Sequence, residues 1–394
     1  MTPATTASAN VRPKDLTLSN WDRPPFNRWS FQHVRDIVPT APVARGLPQA
    51  LLHTSQDFDL ARFTFADSGG TQITAQSLLD RSYTDGFLVL HGGKIVCEHY
   101  HNGMQSHTLH LTQSVSKSVV AALAGILDAR GDFPLERSVA AYVPQFSGSA
   151  YHDVTMRHLL DMTSGVHFPE DIADPETGFG LMDIAVGWKP APATNTSPRS
   201  VRALIASMGQ IVRPHGLQFE YRSMETEVLG YCIEAATGAK LPTLVSELIW
   251  QPMGAECDAS FGIDAEGFAI ADGGLSASLR DLGRFGLIYA QNGYANGRQI
   301  VPEAWVRETR IGDPSLFTTA QKASRPNGAY RNKFWIEDVE KSAIMALGIF
   351  GQIVYIDHAR DFVGVKLSSW ATALDVPMRK DVQNLMGAMA SSLT

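Results

Sequence analysis

Two groups of alternating strands stand far apart in this sequence, and they constrain its fold more than any other feature. Between Phe87 and Tyr100, two apolar, β-branched runs flank Gly92-Gly93, which predicts a β-hairpin. Two further alternating runs, from Gly348 to Asp357 and from Asp361 to Trp370, predict another antiparallel pair. Because the chain between them has mainly helical patterns, we expect one antiparallel sheet that is built from both ends of the chain.

The middle of the chain contains helical patterns separated by loops. Apolar residues recur at helical spacing from Val115 until Gly131 and Pro134 end the run, and an amphipathic helix is predicted from about Pro377 to Met389. Shorter helical patterns lie at Met156 to Met162, Val201 to Met208 and Thr226 to Thr237. A long loop from Ser164 to Ser200 is expected to shape a binding site.

These patterns predict an α/β (α+β) fold in which helices flank an antiparallel sheet and a mostly helical domain is inserted. We assign residues 1–125 and 240–394 to the α/β domain and residues 126–239 to the inserted domain, with the active site between them. Residues 1 to about 50 combine prolines with aromatic residues such as Trp21 and Phe31, a pattern typical of an irregular arm that covers a core.

Composition excludes several classes of partner. The chain has 40 acidic and 33 basic residues, a net charge of −7 and no basic block, which argues against nucleic acid. Its three cysteines, Cys97, Cys232 and Cys257, are scattered, as is typical of buried thiols in a reducing compartment. The chain has no signal-peptide core and no membrane-spanning apolar run, so we expect a cytoplasmic protein with no membrane partner. The oligomeric state stays open, with a homodimer as one option.

The first candidate for catalysis is Ser114-Val115-Ser116-Lys117, at the start of a predicted buried helix. Residues three apart share a helix face, so the Ser114 hydroxyl and the Lys117 amine can meet, and the positive helix N-terminus suits a developing anion. To accept a proton near neutral pH, Lys117 needs a lowered pKa, which we expect burial to cause. About one SxxK arises by chance in a chain of this size, so a capping serine and a surface lysine are the alternative.

A second element is Tyr221-Arg222-Ser223, which precedes the helical pattern at Thr226. A phenol beside the lysine can pass a proton to a leaving group, and Ser223 can join the hydrogen-bond network. Spacing alone does not choose Tyr221, because Tyr100, Tyr294 and Tyr330 begin YxN triplets. Tyr221 is preferred because it lies in the inserted helical region, where the facing wall of a cleft should be. A core tyrosine with a satisfied hydroxyl is the alternative.

Other catalytic schemes lack their residues. The chain contains neither GxSxG, the nucleophile elbow of α/β-hydrolases, nor HExxH. Four histidines cluster at the end of the predicted hairpin and just after it, but no CxxC or HxHxD pattern accompanies them, and histidines that flank a strand are typically hydrogen-bonded surface or cleft residues. They are His99, His101, His107 and His110. We therefore predict no metal and no cofactor.

Taken together, these residues resemble the serine hydrolases of the penicillin-recognising fold, which include class C β-lactamases, D-alanyl-D-alanine peptidases and related esterases. Within this family the resemblance is strongest to the nylon-oligomer hydrolases, and it covers essentially the whole chain. The matching segments besides SVSKS are NRWSF at Asn27 to Phe31, TDGFLVL at Thr84 to Leu90, FEYRS at Phe219 to Ser223, ADGGLSAS at Ala271 to Ser278, GQ at Gly351 to Gln352 and VKLSSW at Val365 to Trp370.

The resemblance implies an acyl-enzyme mechanism with Ser114 as nucleophile, Lys117 as base and Tyr221 as proton relay. The backbone N–H groups of Ser114 and Ile349 would form the oxyanion hole. The Lys-Thr-Gly motif of β-lactamases is replaced here by Ala346-Leu347-Gly348. Loss of that lysine removes the anchor for a β-lactam carboxylate, which argues against penicillins.

The nylon-oligomer hydrolases imply a set of substrate-binding residues. Asp183 falls on the position that meets the free amine of the substrate, and Asp272 on a position that tunes activity. Trp188 and Trp335 match aromatic residues that line the cleft. Ile172 stands where those enzymes have a tyrosine that favours amide cleavage, a departure that puts strong amidase activity in doubt. For Asp183 and Asp272, solvated loop carboxylates are the alternative.

The sequence thus predicts a serine hydrolase of small carboxylic esters, and of linear amides with a free amine such as 6-aminohexanoate dimer. The alternative activity is that of a D-amino-acid peptidase or a weak β-lactamase. An alternative of another class is a sensor module that is acylated and does not turn over.

Overall fold

The computed structural model describes residues 11–55, 58–171, 174, 176–191 and 198–393. The strands are β1 (Thr40–Val43), β2 (Thr64–Ala66), β3 (Gln72–Thr74), β4 (Thr84–His91), β5 (Lys94–Tyr100), β6 (His110–Leu111), β7 (Ala259–Gly262), β8 (Leu275–Ala277), β9 (Tyr294–Ala295), β10 (Arg298–Gln299), β11 (Ala329–Arg331), β12 (Phe334–Ile336), β13 (Ala343–Gly348), β14 (Gln352–Asp357) and β15 (Phe362–Ser368).

The helices are α1 (Asn27–Ser30), α2 (Ala75–Arg81), α3 (Val115–Ala129), α4 (Val139–Tyr142), α5 (Met156–Leu160), α6 (Gly178–Ala185), α7 (Val201–Ser207), α8 (Met224–Thr237), α9 (Leu241–Val245), α10 (Leu279–Ala290), α11 (Glu303–Thr309), α12 (Thr319–Ser324) and α13 (Val376–Ser392).

A seven-stranded antiparallel sheet joins the two ends of the chain in the order β11-β12-β13-β14-β15-β4-β5. The joint is the β15–β4 pair, in which Val365 lies opposite Leu88. On β15, neighbouring residues face opposite sides: Val363 packs against Gly286 of α10, and Gly364 against Met386 of α13. The predicted fold, an antiparallel sheet flanked by helices, is confirmed.

A smaller sheet, β1-β7-β8-β6, was not predicted from the sequence. It pairs the amino-terminal arm with the middle of the chain through Thr40 opposite Gly262. Trp21 and Phe31 of the arm are fully buried, as expected of a segment that covers a core. Because β6 ends just before Ser114, and β8 begins just after Asp272, this sheet positions two candidate site residues.

Within residues 130–239 the described elements are helices, α4 to α8. The segment Ser164 to Ser200, predicted as a loop, contains α6, so that prediction was wrong in part. The helix has only two turns and begins with three residues that include two glycines, which left little periodic signal. The predicted domain boundary at residue 125 falls inside α3, and the two-domain division stays a prediction.

Two further observations on the described residues concern membrane-spanning helices and disulfide bonds. No helix in the described ranges is both long and apolar enough to cross a membrane. Cys97, Cys232 and Cys257 all lie in described segments, and none forms a disulfide.

Candidate active site

A cavity of about 210 Å³ opens where α3, α6, β13 and the segment before α8 meet. Most of the residues proposed from the sequence line it, together with residues that the sequence did not single out. The lining residues are Gln113, Ser114, Glu170, Phe179, Met182, Asp183, Val186, Trp188, Tyr221, Ser223, Ile270, Asp272, Trp335, Leu347, Gly348, Ile349, Leu374 and Arg379.

Ser114 and Lys117 meet at the N-terminus of α3. The Lys117 ammonium donates to Ser114 Oγ at 2.7 Å, and its helix is buried continuously from Val115 to Leu127. The other two acceptors of Lys117 Nζ belong to Asp272, whose backbone oxygen lies at 2.9 Å and whose carboxylate Oδ2 lies at 3.1 Å. All three ammonium protons therefore have acceptors, and one of them points at the serine hydroxyl.

The pKa of Lys117 departs from the sequence-based expectation. Burial lowers the pKa of its ammonium, but the charge of Asp272 and the hydrogen bond with it, together with the smaller effects of Tyr221 and Glu170, more than offset burial and raise the pKa above its ordinary value. Asp272 lies 155 residues along the chain from Lys117, so its charge beside the amine is not visible in the SxxK motif. The predicted lowering of the Lys117 pKa was wrong, because a counterion accompanies the burial.

Tyr221 lies over the same pair. Its ring centroid is 5.4 Å from Lys117 Nζ, and the ring stacks on Trp335 at 5.6 Å. Burial raises the pKa of the phenol, although Lys117 and a hydrogen bond with Ser114 lower it, so Tyr221 is a neutral donor. The competing tyrosines lie elsewhere: Tyr330 packs behind Tyr221, and Tyr100 donates to Glu98.

The backbone segments that carry Ser114 and Ile349 approach each other closely. Gln113 and Phe350, which flank this pair, have φ angles of 50° and 60°, in the left-handed region. A Cβ on Gly348 would lie 2.7 Å from the Thr112 carbonyl oxygen, so only glycine lets β13 reach the serine turn. Among the backbone hydrogen bonds of the described turns and loops, none uses the N–H groups of Ser114 or Ile349, an arrangement that the predicted oxyanion hole requires.

The structure gathers the proposed substrate-binding residues in this cavity, except Ile172, which lies outside the described residues. Asp183 is partly exposed, yet enclosure by the protein and the nearby Asp22 raise its pKa to about 8 against the effect of Lys189. The Trp188 backbone oxygen accepts from the indole of Trp21 at 2.9 Å.

Three residues near the cavity carried no sequence signal. Glu170 lies in the predicted loop and accepts from the Ser223 backbone N–H at 3.0 Å and from its hydroxyl. Glu227, fully buried on α8, accepts from the backbone N–H of Asp272 at 2.9 Å. Gln113 supplies the strained turn before the serine. Their roles depend on contacts between distant segments, and no local motif marks them.

Within the described ranges, no group of three or more His, Cys, Asp or Glu side chains is arranged to hold a metal ion. His110 instead shares a buried contact with Asp85 at 3.0 Å. The expected absence of metal and cofactor stays a prediction.

The protein has a β-lactamase/transpeptidase-like fold, and serine, lysine and tyrosine side chains meet in its cleft. These two features identify it as a serine hydrolase. The chain belongs to the Beta-lactamase family, whose family model matches residues 74–385.

The individual proteins that are similar to this chain include hydrolases and an esterase. It is 30% identical over 358 residues to a 6-aminohexanoate-dimer hydrolase of Paenarthrobacter ureafaciens, a match that covers 90% of this chain and 88% of that protein. A Bacillus anthracis protein assigned as a 6-aminohexanoate-dimer hydrolase has the same fold, with a TM-score of 0.90, 27% identity and coverage of 97% and 98%. Esterase EstB of Burkholderia gladioli is 27% identical over 179 residues, which is 42% of either chain.

Proposed function

We propose that this enzyme hydrolyses small carboxylic esters, and linear amides with a free amine, through an acyl-Ser114 intermediate. The observation that carries the proposal is the 2.7 Å contact between Lys117 Nζ and Ser114 Oγ inside a cavity that Tyr221 also lines. Serine, base and proton donor are thus within reach of one bound carbonyl carbon.

In the acylation step, Lys117 in its neutral form takes the Ser114 proton while Oγ attacks the carbonyl carbon. The N–H groups of Ser114 and Ile349 hold the oxyanion that forms, and Tyr221 gives its proton to the leaving oxygen or nitrogen. Lys117 then reprotonates Tyr221, and water attacks the acyl-serine by the same groups in reverse. Only the neutral amine of Lys117 can take the serine proton, and the pKa of its ammonium is raised. The rate should therefore increase with pH up to that pKa.

The cavity wall supports linear substrates over β-lactams. Ala346 stands where the β-lactamase motif has its lysine, and this buried alanine offers no charge for a β-lactam carboxylate. The strand β13 presents its next residues, Leu347 and Gly348, to the cavity. Asp183 provides a carboxylate for a substrate amine, and amine binding would draw this carboxyl, with its pKa of about 8, into its ionised form. The 6-aminohexanoate-dimer hydrolase relative supports the same substrate class.

We place the enzyme in the cytoplasm, a proposal supported by three cysteines that form no disulfide. A homodimer remains the assembly that we propose to test by light scattering.

Replacement of Ile172 by tyrosine tests the substrate class, on the basis of the family resemblance alone. We expect the wild type to hydrolyse short-chain p-nitrophenyl esters readily and 6-aminohexanoate dimer slowly. The Ile172→Tyr variant should gain at least about tenfold in amide hydrolysis, because a hydroxyl can stabilise the amide leaving group by about 1.4 kcal/mol. Ile172→Phe is the matched control without the hydroxyl. An equal gain in both variants, or none in either, contradicts the proposed alignment of Ile172.

Loss of the Tyr221 hydroxyl should slow the step in which the leaving group departs. We expect Tyr221→Phe to lower kcat for alkyl esters by about 10²-fold or more, the usual contribution of a general acid. The loss should be smaller for p-nitrophenyl esters, whose leaving group departs without a proton. Tyr330→Phe is the control, since that buried ring packs 6.1 Å from Tyr221. Equal losses for the two kinds of ester would contradict the role of Tyr221 as proton donor.

A further inference from the structure

One arginine of the cavity around Ser114 has no partner for its charge among the described residues. Arg379, the fourth residue of α13, lines this cavity and is half-buried. Its backbone N–H donates to the Asp375 backbone oxygen, but its guanidinium forms no hydrogen bond or ion pair with a described residue. The five N–H donors of the guanidinium are therefore available to a bound ligand.

The acidic side chains close to Arg379 have other partners. Glu337 accepts from Arg325 Nε at 3.0 Å with one oxygen and from Lys380 Nζ at 2.6 Å with the other. The Asp375 carboxylate caps α13, where it accepts from a backbone N–H of the first turn at 2.9 Å. This group thus contains three cations and two carboxylates, so positive charge is in excess beside the cavity.

The place of Arg379 does not favour its charge. It lies in the first turn of a helix, and the N-terminal end of a helix carries a partial positive charge that repels a cation. Burial and the neighbouring Arg325 lower the pKa of the Arg379 guanidinium, against the effect of Glu337. A bound anion would offset both effects, whereas the described protein groups do not.

The cavity around Ser114 adjoins two others, which differ in chemistry. One, of about 490 Å³, shares Asp183 with it and contains several acidic residues. They are Asp22, Glu170, Asp171 and Asp183. The other, which we call the Arg379 recess, shares Leu347, Leu374 and Arg379 with the cavity around Ser114, and most of its lining residues are apolar. The nucleophile therefore lies in a cleft with an acidic region and a separate apolar region that contains an arginine.

We infer that the Arg379 recess binds a carboxylate at the end of an aliphatic leaving group, while Asp183 binds the amine of the acyl group. The inference rests on the proposed function and names the second charged end of the substrate. The substrate class is linear amides that carry an amine on the acyl part and a carboxylate on the amine-derived part. Leu347 and Leu374 suit the methylene chain, and the guanidinium can donate to both carboxylate oxygens.

The test compares two ligands that differ only in this charge, 6-aminohexanoate dimer and its C-terminal carboxamide. In Ser114→Ala, calorimetry should show that the dimer binds at least about tenfold more tightly than the carboxamide, as expected for a charge-assisted hydrogen bond. In Ser114→Ala/Arg379→Met, the two ligands should bind within about twofold of each other. Ser114→Ala/Arg379→Lys should keep an intermediate preference, because lysine retains the charge but not the paired donors.

Lys380→Met, in the same Ser114→Ala protein, is the matched control. Lys380 is the next residue of α13 and pairs with Glu337, and it does not line the cavity around Ser114. This variant should keep the preference for the dimer. Arg379→Gln replaces Arg379→Met if the methionine variant does not fold.

Three outcomes overturn the inference. They are equal affinity of Ser114→Ala for the two ligands, a full preference for the dimer in Arg379→Met, and an equal loss of preference in Lys380→Met. Binding to Ser114→Ala does not depend on turnover. Hydrolysis of p-nitrophenyl acetate, which carries neither charged end, tests the acyl-serine chemistry in the protein with Ser114 intact. Absence of that hydrolysis contradicts the proposed function, and the binding measurements still decide the role of Arg379.

Discussion

Replacement of Ser114 by alanine is expected to lower kcat/KM for p-nitrophenyl esters by about 10⁴-fold or more, because removal of a nucleophile leaves only oxyanion and binding effects. In the wild type, a slowly turned-over ester or a phosphonate inhibitor should add one acyl or phosphonyl group, which intact-mass analysis can detect and peptide mapping can place on Ser114. The variant should show no such adduct.

Ser116→Ala is the control for Ser114→Ala. Ser116 is buried two residues further along α3 and donates to the Ala271 backbone oxygen at 2.9 Å, so its loss tests for general damage to the helix. We expect ester hydrolysis within a few-fold of the wild type. Retention of hydrolysis by Ser114→Ala, or an adduct on another residue, would remove Ser114 as nucleophile. A burst of product without steady turnover in the wild type would instead indicate a sensor.

Replacement of Lys117 by methionine should have two separable effects. Loss of the base should lower kcat by about 10³-fold. Loss of the ammonium also leaves the buried Asp272 carboxylate without its partner, which should lower the free energy of unfolding by about 3–5 kcal/mol. The double variant Lys117→Met/Asp272→Asn should recover most of that stability in urea unfolding but not the activity. Recovery of activity in the double variant would show that Lys117 acts only through folding.

Lys333 offers a matched control for this experiment. It is as deeply buried as Lys117, but its Nζ has no hydrogen-bond partner among the described residues, and burial lowers its pKa to about 7. Lys333→Met therefore removes a buried lysine without stranding a contacting carboxylate. We expect kcat within about twofold of the wild type and no loss of stability comparable to that of Lys117→Met.

Elements with a strong local pattern were predictable from the sequence. The hairpin around Gly92-Gly93 and the buried helix after Ser114 appear as β4, β5 and α3, because turn chemistry and apolar spacing act over a few residues. Strand β13 and helix α6 were missed. The two turns of α6 carry little amphipathic signal, and β13 depends on its place between β12 and β14.

The residues of the candidate site likewise fall into those that the sequence predicted and those that it did not. The three-residue spacing of Ser114 and Lys117 predicted their contact, and helix geometry alone brings it about. The place of Tyr221 came from its position in the chain, and that of Ile349 from family resemblance, while Glu170 and Glu227 left no signal. Their contacts join segments that are far apart in sequence, such as Ser223 with Glu170, which no motif records.

The sequence by itself determined four strands of the central sheet (β4, β5, β14 and β15), the helix that follows Ser114 and the meeting of Ser114 with Lys117, since each depends on neighbours within a few residues. Tertiary structure decided the charge of that lysine. Burial, which the apolar helix predicts, acts to lower its pKa, but folding also brings the Asp272 carboxylate to 3.1 Å and Glu227 behind it. Electrostatic energy depends on distance in space, so only the folded chain sets the proton balance of the site.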